Sequence, residues 1–218
     1  MQDRNFIFLA TSMVAVVLVS NILVQYPVQL LGLQDVLTWA AFTYPIAFFV
    51  TDLTNRYYGL QTAKRVVYVG FTIAVVLSIL FATPRIAIAS GTAFLASQIM
   101  DIYIFRRYIR HTWWKAPIIS SALGSLLDTT IFFSIAFSLN FSFLGYGDSF
   151  AIEKIPVFWI ELETSRWIMW AIGDLIVKLL VALALLIPFR IFYISNYKSV
   201  LEKFPLNFSH ERGFGVLG

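Results

Sequence analysis

Residues 85–133 read RIAIASGTAFLASQIMDIYIF, then RRYIRHTWWKAP, then IISSALGSLLDTTIFF, and this stretch decides the fold. Two apolar segments flank a short basic turn, and each segment carries one acid, Asp101 or Asp128. An ionised carboxylate in hydrocarbon costs roughly a few kcal/mol or more, so it is normally paired, solvated or protonated. The pattern therefore predicts two membrane helices with a polar site between them, which the rest of the chain completes.

The composition extends this interpretation to all 218 residues. Hydrophobic residues make up 59% of the chain and charged residues 13%, and the mean hydropathy is +0.79. A soluble domain of this size is about a quarter charged. We therefore predict one compact integral membrane domain.

Residue types that are scarce or absent argue against several kinds of site. No cysteine occurs, which excludes disulfides, iron–sulfur clusters and cysteine-bound zinc. The two histidines, His111 and His210, lie in polar segments, so we expect no metal site and no cofactor. The net charge of +4 comes from basic residues beside helix ends, where membrane topology explains them without a nucleic-acid partner.

The apolar segments predict six spanning helices of about 20 residues each, the length that crosses a bilayer core. They lie at residues 6–25, 36–53, 66–83, 86–105, 117–139 and 167–190. We expect one transmembrane domain over residues 1–195 and a cytoplasmic tail over 196–218. The longest external segment, 140–166, is acidic and aromatic, and part of it is expected to lie along the membrane interface.

Basic residues predict the orientation in the membrane. Of the 16 Lys and Arg, twelve fall on the side of the N-terminus, three fall on the other side, and Lys178 lies within a span. Cytoplasmic segments carry the excess of Lys and Arg in membrane proteins. We therefore expect both termini to lie in the cytoplasm.

The fourth predicted helix has a polar face. Ser90, Phe94, Ser97 and Asp101 recur at spacings of four, three and four residues, and Gln98 lies beside them. Such a face could line a pocket that stacks against a flat heterocycle and hydrogen-bonds it. It could equally pack polar groups between helices.

The deepest charges lie in the fifth and sixth predicted helices. Asp128, followed by Thr129, falls about 16 Å into its helix, near the middle of the bilayer. Asp174 and Lys178 are four residues apart on one face of the sixth helix. At that depth they are expected to pair with each other or with Asp128. The group could be a structural ion pair or an element that binds or couples a cargo.

Polar residues near the helix ends form a second set of candidates. Asn21, near the outer end of the first helix, could bond a neighbouring helix or contact a ligand. Asp52 and Arg56 are four residues apart in the order that favours an ion pair, which could anchor the helix or gate the inner mouth. Arg85 could cap the outer side of a cavity or be an isolated interfacial charge.

Motifs of several enzyme classes are missing from the sequence. It has no P-loop of the type GxxxxGKS or GxxxxGKT, no HExxH and no GxSxG. Buried acids, amides and aromatics without a nucleophile–base pair favour binding and translocation. We therefore predict that the protein is not an enzyme.

Seven segments, in this order and on six helices, carry a resemblance to a known family. They read SNILVQYPV (20–28), TDLTNRYYG (51–59), RIAIAS (85–90), SQIMDIYIF (97–105), WWKAP (113–117), SLLDTTIFFSIAF (125–137) and DLIVKLL (174–180). With them the chain resembles the queuosine-precursor transporter family, also called the vitamin uptake transporter family, over roughly residues 10–190.

The resemblance implies an all-α membrane fold of six helices, similar to the substrate-binding membrane subunits of energy-coupling-factor importers. It implies uptake of 7-cyano-7-deazaguanine, with 7-aminomethyl-7-deazaguanine as a second cargo, across the bacterial inner membrane for transfer RNA modification. It further implies a single-component carrier without an ATPase subunit, and the small-residue faces leave a homodimer open.

The polar residues agree with such a cargo, because a deazaguanine is flat and polar at its edges. A carboxylate can accept two hydrogen bonds from its N–H and amino groups, and we assign this role first to Asp128 and second to Asp101. Gln98 or Asn21 could meet the carbonyl group. The rings that could stack on the cargo belong to Phe94, Trp170 and Tyr44.

Two alternatives stay open at the level of sequence. The cargo could be another small vitamin-like or nucleobase-like molecule, held by a transporter or by a substrate-capture subunit. Transport could be facilitated diffusion, or it could be coupled to protons through Asp128 or Asp174, since buried acids can titrate near neutral pH.

Overall fold

The computed structural model describes residues 2–23, 26, 28–29, 37–81, 83–145, 149–157 and 160–203. The α-helices are α1 (Gln2–Leu23), α2 (Ala40–Thr43), α3 (Pro45–Phe81), α4 (Pro84–Tyr108), α5 (Lys115–Phe137), α6 (Ser149–Ile152) and α7 (Arg166–Lys203). A 3-10 helix covers Leu139–Leu144, and the strands β1 (Lys154–Val157) and β2 (Ile160–Ser165) follow α6.

Among the described residues, five helical stretches are long and apolar enough to cross a membrane. They are Asn5–Leu23, Ala40–Leu80, Pro84–Tyr108, Lys115–Phe137 and Arg166–Ile194. This confirms the predicted class of a helical membrane protein. The second and third predicted helices, 36–53 and 66–83, both overlap the stretch that starts at Ala40, which is 41 residues long.

That long stretch is interrupted at Gly59. Its backbone has φ 82° and ψ 175°, which is not helical and which residues with a side chain rarely adopt. A Cβ added to Gly59 would meet nothing within 4 Å, so the requirement for glycine there is conformational rather than steric.

The contacts of α3 with α4 show that the chain reverses direction at this glycine. Before Gly59, residue numbers rise together in the two helices, as in parallel packing. After it, they run in opposite directions. The hydrogen bonds concerned join Thr51 to Gln98 and Asn55 to Ile102 before the glycine, and Lys64 to Tyr103 and Ser78 to Ser90 after it.

The sequence explains where α4 begins. Thr83 has extended backbone angles, and its hydroxyl accepts a hydrogen bond from the backbone N–H of Ile86 at 3.4 Å. Pro84 then occupies the first helical position, where a missing N–H costs nothing. From this start, α4 passes through the centre of the bundle and packs against both α3 and α5.

Close packing between α3 and α5 depends on a small residue. A Cβ added to Gly124 on α5 would lie 2.7 Å from Cε1 of Phe48 on α3. Phe48 is almost fully buried, and Ala47 beside it belongs to the main hydrophobic core with Met13 and Phe94. The ring therefore fills the space that the glycine leaves.

The segment 140–166, which the sequence predicts to be external, adds two strands to the helical fold. Strands β1 and β2 form an antiparallel hairpin, with Lys154 opposite Ser165 and Ile155 opposite Thr164. Alternating apolar and polar residues in IELETS are typical of a strand with one buried face. Arg166 closes the segment through an ion pair with Glu153 at 2.6 Å. The sequence did not predict this hairpin.

The predicted boundary between domain and tail lies within a helix. Helix α7 continues from Arg166 to Lys203, past the expected end of the domain at residue 195. Residues 204–218 of the predicted tail lie outside the described residues.

We predict that Gly59→Ala destabilises the protein by about 1–3 kcal/mol, because alanine would be held in a backbone conformation that costs about that much. The matched control is Gly91→Ala, where an added Cβ would lie 3.6 Å from Phe71, an ordinary contact. Chemical unfolding of the purified protein in detergent measures both. Equal stability of the two variants would contradict the account of the chain reversal.

Candidate functional site

Three charged side chains meet in the middle of the bundle. Lys178 Nζ on α7 lies 2.8 Å from Asp128 Oδ2 on α5 and 2.5 Å from Asp174 Oδ2, one turn earlier on α7. Lys178 and Asp128 are almost completely buried. The predicted pairing of these charges is confirmed, with both carboxylates sharing one ammonium group.

Hydroxyl groups from other parts of the chain complete this arrangement. Tyr44 and Ser97 donate hydrogen bonds to Asp128 Oδ1 at 3.1 and 3.4 Å, and Thr129 donates to Asp174 Oδ2 at 2.8 Å. We call the set of Tyr44, Ser97, Asp128, Thr129, Asp174 and Lys178 the central cluster. Its two acids and one ammonium leave one formal negative charge.

The central cluster lies at mid-membrane depth. Asp128 is 13 residues into α5, and Lys178 is 12 residues into α7, so each lies about 18–20 Å from the start of its helix. A bilayer core is about 30 Å thick. Charged groups at this depth in membrane proteins mark pathways for ions or substrates.

Aromatic rings form one wall of the central cluster. The ring of Tyr44 lies 6.2 Å from that of Phe94 and 6.2 Å from that of Phe48, both at nearly right angles. Lys178 Nζ lies 5.1 Å from the centre of the Tyr44 ring. The cluster thus combines ionised groups with flat apolar surfaces, as a site for a polar heterocycle requires.

A second polar group lies nearer the end of the bundle that carries the basic turn between α4 and α5. Asp52 accepts hydrogen bonds from Ser120 at 3.1 Å and from Ser121 at 3.3 Å. Asp101 is fully buried beside them. We call Asp52, Asp101, Ser120 and Ser121 the second cluster.

Several buried polar atoms around the second cluster have no hydrogen-bond partner among the described residues. Native proteins leave few such atoms, so each calls for an explanation. They are both carboxylate oxygens of Asp101, Nε2 of Gln98, Oδ1 of Asn55 and Oγ of Ser125. Gln98 is held through its other amide atom, since Thr51 donates to Oε1 at 2.6 Å.

Phe48 separates the two clusters. Tyr44, Phe48 and Asp52 follow one another at steps of four residues and so lie on one side of the helix that α3 forms. Opposite them on α5, Gly124 lies one turn before Asp128 and contacts the Phe48 ring. An aromatic layer therefore stands between two polar layers.

Two predicted site residues have partners away from the central cluster. Asn21 donates to the backbone carbonyl of Val17 in its own helix. Trp170 packs against Phe137 and Phe150 toward the external segment. The structure therefore does not bring Asn21 and Trp170 to the cluster.

Arg85 has a role that the sequence did not indicate. Its guanidinium donates to the backbone carbonyls of Ile135 at 2.8 Å, Ser138 at 2.5 Å and Gly145 at 3.3 Å. These carbonyls lie at the C-terminal end of α5 and in the segment after it. The buried cation therefore caps a helix end, where positive charge is favourable.

The expected ion pair between Asp52 and Arg56 is absent from the described residues. The carboxylate of Asp52 takes its donors from α5 instead. The guanidinium of Arg56 lies 4.5 Å from the centre of the Tyr193 ring.

Three residues that contribute to the second cluster were not predicted from the sequence. Thr51, Asn55 and Ser120 are fully buried and hold or flank the second cluster. Small polar residues of this kind are common at helix interfaces, so nothing in their type marks them. Asn55 lies one turn after Asp52 and Ser120 one turn before Gly124, and this spacing is the signal that could have found those two. Thr51 directly precedes Asp52 and has no such signal.

A groove outside the clusters has a different character. It encloses about 700 Å³ between the second part of α3 and α4. Its lining is apolar and includes Phe71, Val75, Gly91 and Leu95. It faces the outside of the bundle and shares no residue with either cluster.

Comparisons with known proteins bear on this architecture. Residues 38–83 and 77–193 match the profile of a family described as "Putative vitamin uptake transporter". The "Queuosine precursor transporter" of Escherichia coli is 33% identical over 78% of this chain and 77% of its own length. The "Probable queuosine precursor transporter" of Haemophilus influenzae is 29% identical over 85% of this chain and 84% of its own length.

A third relative, from Bacillus subtilis, is also named "Probable queuosine precursor transporter" and is 30% identical over 54% of this chain and 63% of its own length. No solved structure matches the chain significantly.

We predict that Lys178→Met destabilises the protein by about 3 kcal/mol or more, because it leaves buried carboxylates without their cation. Asp128→Asn combined with Lys178→Met should recover a large part of that loss, since one of the two stranded charges is removed. Unfolding in detergent measures the pair of variants. A double variant no more stable than Lys178→Met would contradict this view of the cluster.

Proposed function

Because the chain belongs to the vitamin uptake transporter family, we propose that it imports a 7-deazaguanine precursor of queuosine across the bacterial cytoplasmic membrane. Membership makes it a transport protein rather than an enzyme. The names of the relatives support the class of cargo, for which we take 7-cyano-7-deazaguanine first and its 7-aminomethyl analogue second. The observation that carries the proposal is the central cluster, a charged and aromatic site at mid-membrane.

The chemistry of the central cluster suits a deazaguanine. The N–H and amino groups of the deazaguanine can donate two hydrogen bonds to the carboxylate of Asp128. Charge-assisted hydrogen bonds of this kind are stronger than those between neutral groups. Phe94 and Tyr44 offer ring surfaces for the flat bicycle. Ser97 supplies a hydroxyl group to the same carboxylate, and Thr129 supplies one to Asp174.

When the cargo binds Asp128, Lys178 loses one of its two carboxylate partners. The second partner makes this loss tolerable. The ammonium group contacts both Asp128 and Asp174, so it remains paired with Asp174 when Asp128 turns to the cargo. No buried charge is then stranded, which keeps the exchange inexpensive. The cargo replaces the donors of Lys178 and Tyr44 with its own.

The proposal includes six membrane crossings with both termini in the cytoplasm. The reversal at Gly59 supports a count of six, because it divides the longest helical stretch into two spans. Basic residues from separate segments lie at one end of the bundle in support of the orientation. There Lys64 bonds Tyr103, Arg56 lies over Tyr193 and Arg190 lies over Trp113.

Other expectations from the sequence remain proposals. They are the likeness to subunits of energy-coupling-factor importers, independence from an ATPase subunit, a homodimer, and a gating role for Asp52 and Arg56. The family is described only as a vitamin uptake transporter, so a substrate-capture subunit stays open as the alternative to a carrier that works without an ATPase.

We predict that this chain restores queuosine in transfer RNA when it is expressed in bacteria that neither make deazaguanines nor import them. The cells receive 7-cyano-7-deazaguanine at a nanomolar concentration, and boronate gels measure the modified fraction. Asp128→Asn should lower the uptake rate tenfold or more, since lost hydrogen bonds to a charged group cost about 1.5–3 kcal/mol.

Glu163→Gln is the matched control, because it makes the same acid-to-amide change at an exposed site in β2. It should transport as the unchanged protein does. Absence of queuosine with the protein present in the membrane would contradict the proposed cargo. Full activity of Asp128→Asn would contradict the proposed site.

A further inference from the structure

We propose that Asp52 and Asp101 of the second cluster form a proton-binding site that couples cargo import to proton entry. This inference rests on the proposed import function. It places the coupling ion one layer away from Asp128 and leaves the central cluster to the cargo.

The packing of α3 against α4 brings the two acids to the same level. Thr51, next to Asp52, bonds Gln98, which lies one turn before Asp101. Asn55, one turn after Asp52, donates to the backbone carbonyl of Ile102 beside Asp101, so the two acids lie between the same two interhelical hydrogen bonds. Both residues are buried, with exposed fractions of 2% for Asp52 and 0% for Asp101.

The donors around the pair are unequally divided. Ser120 and Ser121 each donate to one oxygen of Asp52, so this carboxylate is solvated by the protein. Asp101 receives no hydrogen bond of good geometry from any described residue, because the Ser120 hydroxyl that lies beside it donates to Asp52. A buried carboxylate without donors or a cation is strongly disfavoured. A proton on Asp101 removes this cost and gives Asp52 a further donor.

One more buried atom fits a carboxylic acid better than a carboxylate. Nε2 of Gln98 is a donor without a partner, and Oδ1 of Asn55 is an acceptor without a partner. Gln98 lies one turn before Asp101, and Asn55 lies one turn after Asp52. A carboxylate only accepts hydrogen bonds, whereas a protonated acid both donates and accepts. The unpaired oxygen of Asn55 therefore calls for the proton, whereas either form of the acid can accept from Gln98.

No cation among the described residues neutralises the pair. From α3, the guanidinium of Arg56 is directed at Tyr193 and makes no ion pair. From α7, the side chains nearest Asp52 are apolar and include Leu185 and Phe189. From α5 only serine hydroxyl groups approach.

The space beside Asp52 suits a proton better than a larger ion. The crevice that reaches Asp52 and Ser121 has room for about 10 Å³. That is at or below the volume that holds a single water molecule. A sodium ion would need the helices to separate, whereas a proton needs no space.

One helix face can connect the proton site to the cargo site. Tyr44 contacts Asp128, Phe48 packs on Gly124, and Asp52 belongs to the second cluster, all at four-residue steps. Pro45 begins α3 and has no backbone N–H to bind the preceding turn. A rotation of this segment would change both clusters and the aromatic layer between them.

The test uses purified full-length protein in two independent measurements. Infrared spectroscopy at neutral pH should detect the C=O stretch of a buried protonated carboxyl group, which is lost in Asp101→Asn and kept in Glu163→Gln. This readout requires no cargo. Absence of the band in the unchanged protein would overturn the proton site.

The second measurement uses liposomes with the membrane potential clamped at zero and labelled 7-cyano-7-deazaguanine. A proton gradient of one pH unit, acid outside, should drive accumulation up to about tenfold at one proton per cargo. Asp101→Asn should abolish this accumulation, and Glu163→Gln should keep it. Equal uptake with and without the gradient, or accumulation driven by sodium instead, would overturn the coupling.

A gradient-independent exchange assay separates this inference from the function on which it rests. Unchanged protein that exchanges labelled for unlabelled cargo, yet ignores the proton gradient, contradicts the coupling alone. Protein that shows the infrared band but exchanges no deazaguanine contradicts the cargo and supports the proton site.

Discussion

The pairing of one buried ammonium with two buried carboxylates is the constraint on which the rest of the structure depends. Taking an ion out of water costs several kcal/mol, and only close opposite charges with further donors offset that cost. Asp128 finds these in Lys178, Tyr44 and Ser97, which come from α7, from the residue before α3, and from α4. Four parts of the chain must therefore meet at one depth. The cluster sets their register and, in our proposal, also holds the cargo.

The sequence predicts α1, α4 and α5 well because each is a continuous apolar segment with a clear end, whereas α7 continues past its predicted end. Pro84 starts α4, and the basic turn separates it from α5, so both lie within a few residues of the prediction. The sequence also separates two helices around Gly59 by a polar stretch, although the helical run continues on either side of that one residue. The hairpin of β1 and β2 was missed, because its alternation is short and lies in an acidic external segment.

The sequence predicted those site residues whose charge is incompatible with an apolar helix. Asp128, Asp174 and Lys178 stand out in apolar helices, and their pairing follows from depth and spacing. The sequence alone did not indicate in which direction each side chain points. Arg85 lies in α4 and Trp170 in α7, but their side chains face the segment that follows α5 rather than the central cluster. Whether Asp101 has a hydrogen-bond partner depends on which residues of α3 and α5 face it, and that is known only once the helices are packed.

The most direct test of the central claim is equilibrium binding of 7-cyano-7-deazaguanine to purified protein, measured by calorimetry for the unchanged chain and for Asp128→Asn. The account predicts binding by the unchanged chain and an affinity lowered tenfold or more by the substitution, because charge-assisted hydrogen bonds are lost. Unfolding curves for both proteins establish that the variant is folded. Equal affinity in the two folded proteins would contradict the assignment of the central cluster as the cargo site.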